Sequence, residues 1–345
     1  MAPDTVANDH MAAEGGELLA LVLGAGFSYP AGVPLASQLF DEEPQVDRVT
    51  RRQLVRRTLA GWHAWRERTG GQPEEYLAHL AGGPDGSGFP TKAWPEAIWY
   101  VALRIALTMG SIEAVDFRRT PTIVRHDLMR TVGCREHVLF WDSIFRRPNP
   151  PTSVAVVTTN YDVLIERGLR RRPTPRAFRP GFNYGNGPEQ LEGSGYPSFA
   201  HVRLIYCTGN VPLFKLHGSA SWSVRNGSPV KYIDCRPAIR GDAAIVAPVP
   251  NKSVPGWLQP VWIQAEEHLK AARHWIVVGY SFPTYDHQVN ALVTRASQDG
   301  PQIDVFDPDG PAVAYRLRRL TPSAAIFTHP GLPLGCEIIT SMELG

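Results

Sequence analysis

Two segments of this sequence carry side chains suited to taking a proton and to holding the hydroxyl or water that gives it up. His217 lies in Lys215-Leu216-His217-Gly218, and Asn160 lies in Thr158-Thr159-Asn160-Tyr161-Asp162. An imidazole titrating near neutrality can take a proton from a hydroxyl or from water. A carboxamide offers both donor and acceptor atoms, where the nearby Asp162 carboxylate offers acceptors alone. A third segment, Leu18 to Ser28, is an apolar run broken by Gly24-Ala25-Gly26 and followed by Phe27 and the Ser28 hydroxyl. That arrangement brings backbone N–H groups up against an anion such as a phosphate. A fourth, Gly279-Tyr280-Ser281, ends the run Trp275 to Val278. Each has a plainer alternative. The glycine turn can be a tight strand-to-helix corner, Asn160 and Ser281 can be helix caps, and Asp162 can favour a helix's positive end. His217 is one of eleven histidines.

These segments need strands that deliver them to one edge. A strand is expected at about 18–24, followed by a helix opened by Pro34 and running through Phe40. The β-branched run Val154 to Thr159 lacks polar alternation and reads as a strand buried on both faces, as in a parallel sheet, with a helix from Asp162 to Arg170. Short strands follow near Val202 to Cys207 and Leu213 to Leu216. A helix at Leu258 to Arg273 leads into Trp275 to Val278. A last unit runs from Ile303 to Phe306 through Asp307-Pro308-Asp309 into a helix containing Val313 and Leu317. Asp286 and His287 read as structural members of the helix after Ser281. Strands alternating with helices predict an α/β fold, a doubly wound Rossmann-like parallel sheet with a mainly helical insertion.

The expected division is a disordered tail over 1–16, a nucleotide-binding domain over 17–41 and 150–322, a helical insertion over 42–149, and a C-terminal segment over 323–345. Within the insertion, Leu54, Leu59, Trp62 and Trp65, then Trp94 to Met109, then Ile123 to Phe145 follow helical spacing. Trp62, Trp65, Trp94, Trp99 and Trp141 are expected in the core or at an interface. Gly82 to Pro90 reads as a loop, and the Pro- and Gly-rich 171–200 as an irregular segment able to cover a cleft.

At 345 residues, 43% hydrophobic and 20% charged, with a net charge of +2, the chain has the composition of a soluble globular protein without the basic excess of a nucleic-acid binder. Arg51, Arg52, Arg56 and Arg57, and Arg167 with Arg170 to Arg172, read as solvated faces or a loop rim. No run reaches 18 apolar residues, so no membrane span is expected. The start lacks a basic, then apolar, signal pattern, which predicts a cytoplasmic protein. Cys134, Cys207, Cys235 and Cys336 form no Cys-x-x-Cys pair, so they read as reduced thiols and no metal site is expected.

The glycine turn departs from a dehydrogenase fingerprint, since Tyr29 stands three residues after Gly26, and from a P-loop, since no lysine is near. Taken together, however, the four segments resemble the sirtuin superfamily. Gly24-Ala25-Gly26-Phe27-Ser28-Tyr29-Pro30-Ala31-Gly32-Val33-Pro34 resembles its Gly-Ala-Gly-x-Ser-x-x-x-Gly-Ile-Pro loop, and Thr158 to Asp162 its Thr-Gln-Asn-Ile-Asp segment. Lys215 to Gly218 resembles the segment bearing the catalytic histidine. Gly279-Tyr280-Ser281-Phe282-Pro283-x-x-Asp286 resembles a stretch of the bacterial SIR2-like branch. Where deacylating sirtuins continue with Asp-Phe-Arg, this chain has Leu35, Ala36 and Ser37. It also lacks their four-cysteine zinc module and their Phe-Gly-Glu strand. What remains is similar to SIR2-like proteins of bacterial antiphage defence that hydrolyse NAD.

The resemblance implies NAD as substrate, His217 and Asn160 as catalytic residues, and no metal. It implies that Gly24, Ala25, Gly26, Ser28, Pro34, Thr159, Gly279 and Ser281 bind the nucleotide, with Ala25, Gly26, Ser28 and Ser281 at the pyrophosphate. Phe27 would line the nicotinamide end, Asp162 would bind the carboxamide, and Asp307 or Asp309 the adenosine. Glycosidic cleavage expels a neutral base from a cationic pyridinium and mainly requires positioning plus a base. ADP-ribosyl transfer or base exchange, and a non-catalytic NAD or ADP-ribose sensor, are the alternatives. A homo-oligomer or a partner defence protein is the expected assembly, with neither membrane nor nucleic acid bound.

Overall fold

The computed structural model describes residues 18–44, 46, 49–82, 90–109, 140–141, 144, 153–166, 182–185, 190–192, 211–232, 235–247, 249 and 253–331. The tail over 1–16, the strand near 202–207, most of the helix over 123–145, Arg167 with Arg170 to Arg172, and Cys134, Cys207 and Cys336 lie outside them.

Seven parallel strands form the main sheet. In spatial order they are β12 (Ala325–His329), β11 (Gln302–Phe306), β10 (His274–Val278), β1 (Leu18–Leu23), β2 (Ser153–Thr158), β5 (Val211–Lys215) and β3 (Phe182–Asn183). β1 is central, hydrogen-bonded along its whole length to β2 and almost as far to β10. Leu19 to Leu23 are buried, as are Val154 to Thr158 and all of β10, the signature of a parallel sheet covered on both faces. The chain first builds outward from β1 through β2, then returns to place β10 on the other side. The β1/β10 boundary is therefore the topological switch point, where α/β folds form their ligand crevice. β12 extends this sheet beyond residue 322.

Among the described residues, three helices cover the sheet. They are α6 (Gln259–Ala271), α7 (His287–Ala296) and α8 (Gly310–Leu320). α6 packs on β1, β2 and β5, and α8 on β11 and β12. Earlier in the chain, α1 is the single turn Ala25–Ser28, while α2 (Val49–Thr69), α3 (Pro73–Gly82) and α4 (Trp94–Met109) form a second apolar cluster. In that cluster Phe40 is stacked against Trp62 and Tyr100, each with ring centroids 5.2 Å away. Tyr161, Val163 and Leu164, from the turn after β2, belong to the same cluster. The helical region thus leans on the edge that carries Asn160.

The helix expected from Pro34 does not form. Leu35 is extended, and only a 3₁₀ turn follows at Ala36–Gln38, closed by the Gln38 side chain accepting from the Leu35 N–H at 3.1 Å. This local bond offers the backbone an alternative to helix continuation. Two small sheets were not anticipated. One joins β4 (Gln190–Glu192), β8 (Ser228–Tyr232) and β7 (Trp222–Arg225), and the other pairs β6 (Gly218–Ser219) with β9 (Ala244–Ile245). The β7–β8 hairpin turns at Asn226-Gly227, both at positive φ, the conformation a two-residue hairpin loop favours. Helix α5 (Arg236–Arg240) lies between the two sheets in sequence. Among the described residues no helix is long and apolar enough to cross a membrane.

Candidate functional site

The glycine turn closes against the loop after β10. The Gly24 N–H donates to the Val278 carbonyl at 3.0 Å, and the Gly26 N–H to the Gly279 carbonyl at 2.9 Å. A Cβ on Gly24 would stand 2.4 Å from the Gly279 carbonyl oxygen, and one on Gly26 2.7 Å from the Gly279 Cα. Gly279 itself has φ +59, and its Cβ would meet the Phe27 amide nitrogen at 2.4 Å. Three glycines are thus required for two loops to cross at the switch point. In this crossing the Gly26 amide is engaged by a protein carbonyl. The Phe27 ring is fully buried, edge-on to Phe140 at 5.1 Å and Trp141 at 6.4 Å.

Asn160 fastens this corner to the next strand. Its Nδ2 donates to the Gly24 carbonyl at 2.8 Å and to the Ser28 Oγ at 3.0 Å. Its backbone N–H is held by the Thr158 hydroxyl, which donates to the Leu23 carbonyl. No donor among the described residues reaches its Oδ1. Ser28 is fully buried, Thr159 is half-buried with its N–H toward the Leu23 carbonyl at 3.4 Å, and Pro34 is buried. Asp162 accepts the Leu164 N–H through Oδ1 at 2.9 Å, capping the turn that begins at residue 164. Its backbone carbonyl accepts from Lys215 Nζ, which also pairs with Glu166 at 3.0 Å in a fully buried ion pair.

His217 emerges two residues beyond β5, beside the Asn160 turn. Its carbonyl accepts from the Val246 N–H, whose own carbonyl accepts from the Tyr161 hydroxyl at 2.6 Å. Gly218 explains the His-Gly pairing. At φ +75 it brings the chain so close to β9 that a Cβ would lie 2.1 Å from the Ala244 carbonyl oxygen. The imidazole is only 3% exposed, flanked by the rings of Tyr161 and Trp262.

One residue facing His217 was read only as a helix member. Asp286 Oδ2 lies 3.5 Å from His217 Nε2, and the Tyr280 hydroxyl donates to that same oxygen at 2.9 Å. Asp286 is the residue immediately before α7, and His287 is the helix's first residue. The available signal was its place in the Gly-Tyr-Ser-Phe-Pro-x-x-Asp segment. Next to it, Tyr285 donates to Glu74 of α3 at 2.9 Å. Burial, and secondarily the Asp286 charge, pushes the Tyr161 and Tyr280 hydroxyls well above the usual phenol range, so both stay neutral donors. Burial and Glu74 raise Tyr285 likewise.

Ser281 is exposed, and its carbonyl accepts from Arg316 at 2.7 Å. It does not cap the following helix, the plainer alternative, because Phe282, at φ +49, and Pro283 carry the chain onward before α7 starts at His287. Asp307 accepts the Asp309 N–H at 2.8 Å, and Asp309 stands at the N-cap position of α8 without a side-chain capping bond, so both sit beyond the carboxyl end of β11. The structure therefore gathers Gly24, Gly26, Ser28, Asn160 and Gly279 into one bonded corner, with His217 on the adjoining loop. Asp307 and Asp309 stand two strands away from β1. Among the described residues no cluster of His, Cys, Asp and Glu is arranged to hold a metal ion.

No protein-family model and no curated protein matches this sequence. Solved structures similar to the fold include a Sir2 homologue mutant with 2′-O-acetyl-ADP-ribose (15% identity, TM-score 0.44, covering 95% of this chain and 90% of that one). They also include a Sir2 enzyme studied for mechanism and regulation (15%, 0.41, 89% and 92%) and a Sir2 homologue bound to NAD (15%, 0.39, 90% and 84%). Likeness at this level carries no residue's role over to this chain.

Proposed function

We propose that this chain is an NAD+ glycohydrolase, converting NAD+ and water into nicotinamide, ADP-ribose and a proton. The observation that carries this reading is the tethering of Asn160 to Gly24 and Ser28 with His217 on the neighbouring strand end. It sets a carboxamide and an imidazole beside the corner where an α/β fold takes a nucleotide. In this reading the Asn160 Oδ1 orients a ribose hydroxyl or the attacking water, and His217 accepts the proton as the C–N bond breaks and nicotinamide departs with the electron pair. The glycines contribute shape, allowing close approach, while Ala25, Ser28, Thr159, Pro34 and Ser281 contact the nucleotide. Asp162 takes the carboxamide, and Asp307 or Asp309 the adenosine. By the resemblance of the four segments, the biological role is that of a cytoplasmic antiphage effector depleting NAD+, acting as a homo-oligomer or with a partner defence protein.

The test is incubation of the purified full chain with NAD+ and product analysis by mass spectrometry, repeated with His217→Ala and Asn160→Ala. Equimolar nicotinamide and ADP-ribose from the wild type, lost in both variants while nucleotide binding persists, is the expected result. Exchange with an added pyridine base, or ADP-ribose attached to protein, would reassign the site to transfer. Binding without turnover would make it a sensor.

A further inference from the structure

We propose that Asp286 is the positioning residue for His217, a role that rests on the hydrolase reading above. Three observations converge. The carboxylate oxygen and the imidazole Nε2 are 3.5 Å apart, and both side chains are within 4% of full burial. The same oxygen is held from the other side by the Tyr280 hydroxyl. The backbone of Asp286 is fixed at both ends, its N–H on the Pro283 carbonyl and its carbonyl on the Asn290 N–H at the start of α7. The aspartate is thus anchored independently of the histidine it faces. At 3.5 Å the contact is long for a hydrogen bond, as resting catalytic contacts often are before they tighten in a substrate complex.

The chemistry follows from the geometry. An Nε2–H directed at the carboxylate fixes the ring's rotation and selects the tautomer in which Nδ1 is the basic nitrogen. When Nδ1 takes the proton from a ribose hydroxyl or water, the resulting imidazolium lies against an anion in a water-poor setting. The proton's origin is the O–H bond that breaks, and its destination is Nδ1. Among the described residues, other ionisable groups facing the pair are Tyr161 from the turn after β2, Tyr280 and Tyr285 from the loop before α7, and Glu74 from α3. Trp262 of α6 adds only an aromatic wall.

The experiment compares the wild type with Asp286→Asn and Tyr280→Phe in the full chain. Asp286→Asn should lower kcat for nicotinamide release roughly 10- to 100-fold, the usual loss for an outer partner of a working histidine, with KM little changed. It should also move the acidic limb of the pH–rate profile to lower pH, because the imidazolium loses its counter-charge. Tyr280→Phe keeps the carboxylate and makes it a stronger acceptor, so the limb should move upward. If Asp286→Asn does not fold, the Tyr280→Phe profile alone decides. An unmoved limb in the folded variants, or a change confined to KM, overturns the proposal. Should the wild type release no nicotinamide at all, the hydrolase reading fails separately. The pairing is then read by NMR titration of the His217 ring, whose midpoint must still fall in Asp286→Asn if the positioning is real.

Discussion

Replacing Gly279 with alanine perturbs the switch point more sharply than any other single methyl group. The residue sits at φ +59, where an L side chain costs roughly 1–2 kcal/mol. Its new Cβ would lie 2.4 Å from the Phe27 nitrogen and 2.5 Å from both the Gly26 Cα and carbonyl carbon, all backbone atoms that no rotamer change can clear. Separating the loops enough to relieve this lengthens the 2.9 Å bond from Gly26 to Gly279, and overpacking of this kind typically costs about 1–3 kcal/mol. The expected destabilisation is therefore about 2–5 kcal/mol. Gly227→Ala is the matched control, since it has φ +76 and nothing within 4 Å of the added methyl. It isolates the conformational part, expected at about 1–2 kcal/mol. Urea unfolding followed by circular dichroism measures both as shifts in midpoint at unchanged slope. Equal losses in the two variants would refute the claim that close backbone approach, and not positive φ alone, makes the crossing a glycine site.

Three further outcomes are expected. Asp304, buried on β11, accepts from His274 and His329 at 2.6 Å and from Gln302 at 3.2 Å. Burial alone would raise its pKa, but these bonds more than offset that and hold it below the ordinary carboxylate value. A depressed folded pKa stabilises above the unfolded value of about 3.9 and is lost as pH falls through the folded one. The Tm gap between wild type and Asp304→Asn should accordingly narrow on acidification below about pH 4, and a constant gap from pH 6 to 3 contradicts it. Lys215→Met strands the Glu166 carboxylate in the interior, where the Lys215 side chain is 0% and Glu166 2% exposed. A loss of about 3–5 kcal/mol is expected, largely recovered by adding Glu166→Leu; denaturant titration of the single and double variants decides it. Tyr285→Phe removes one 2.9 Å bond to Glu74 and should cost about 1 kcal/mol, read as a small drop in Tm with the sheet's far-UV signal intact.

Much of the architecture could be read from the sequence because its signals are local. Trp94 to Met109 is a helix with the expected ends, and the apolar runs at 18–23, 153–158 and 274–278 are strands buried on both faces. What escaped depends on distant partners. That Gly26 would lose its amide to Gly279 follows from where two loops cross, and that Phe27 would turn inward follows from Phe140 and Trp141 packing beneath it. Asp286 reads in sequence as a structural member of the helix after Ser281. Its facing of His217 is settled only when β10 and β5 take their places on opposite sides of β1 and β2. The Pro34 helix failed because Gln38 reaches back to Leu35, a short-range competitor that periodicity does not register.

The Asn160 carboxamide serves two masters. One nitrogen clasps the first turn of the fold, so truncating the side chain removes an architectural rivet along with any part it plays on a sugar. A dead Asn160→Ala enzyme consequently speaks to chemistry only if its melting curve is undisturbed. His217→Ala needs the same control, because it removes a buried ring that faces the Asp286 carboxylate at 3.5 Å.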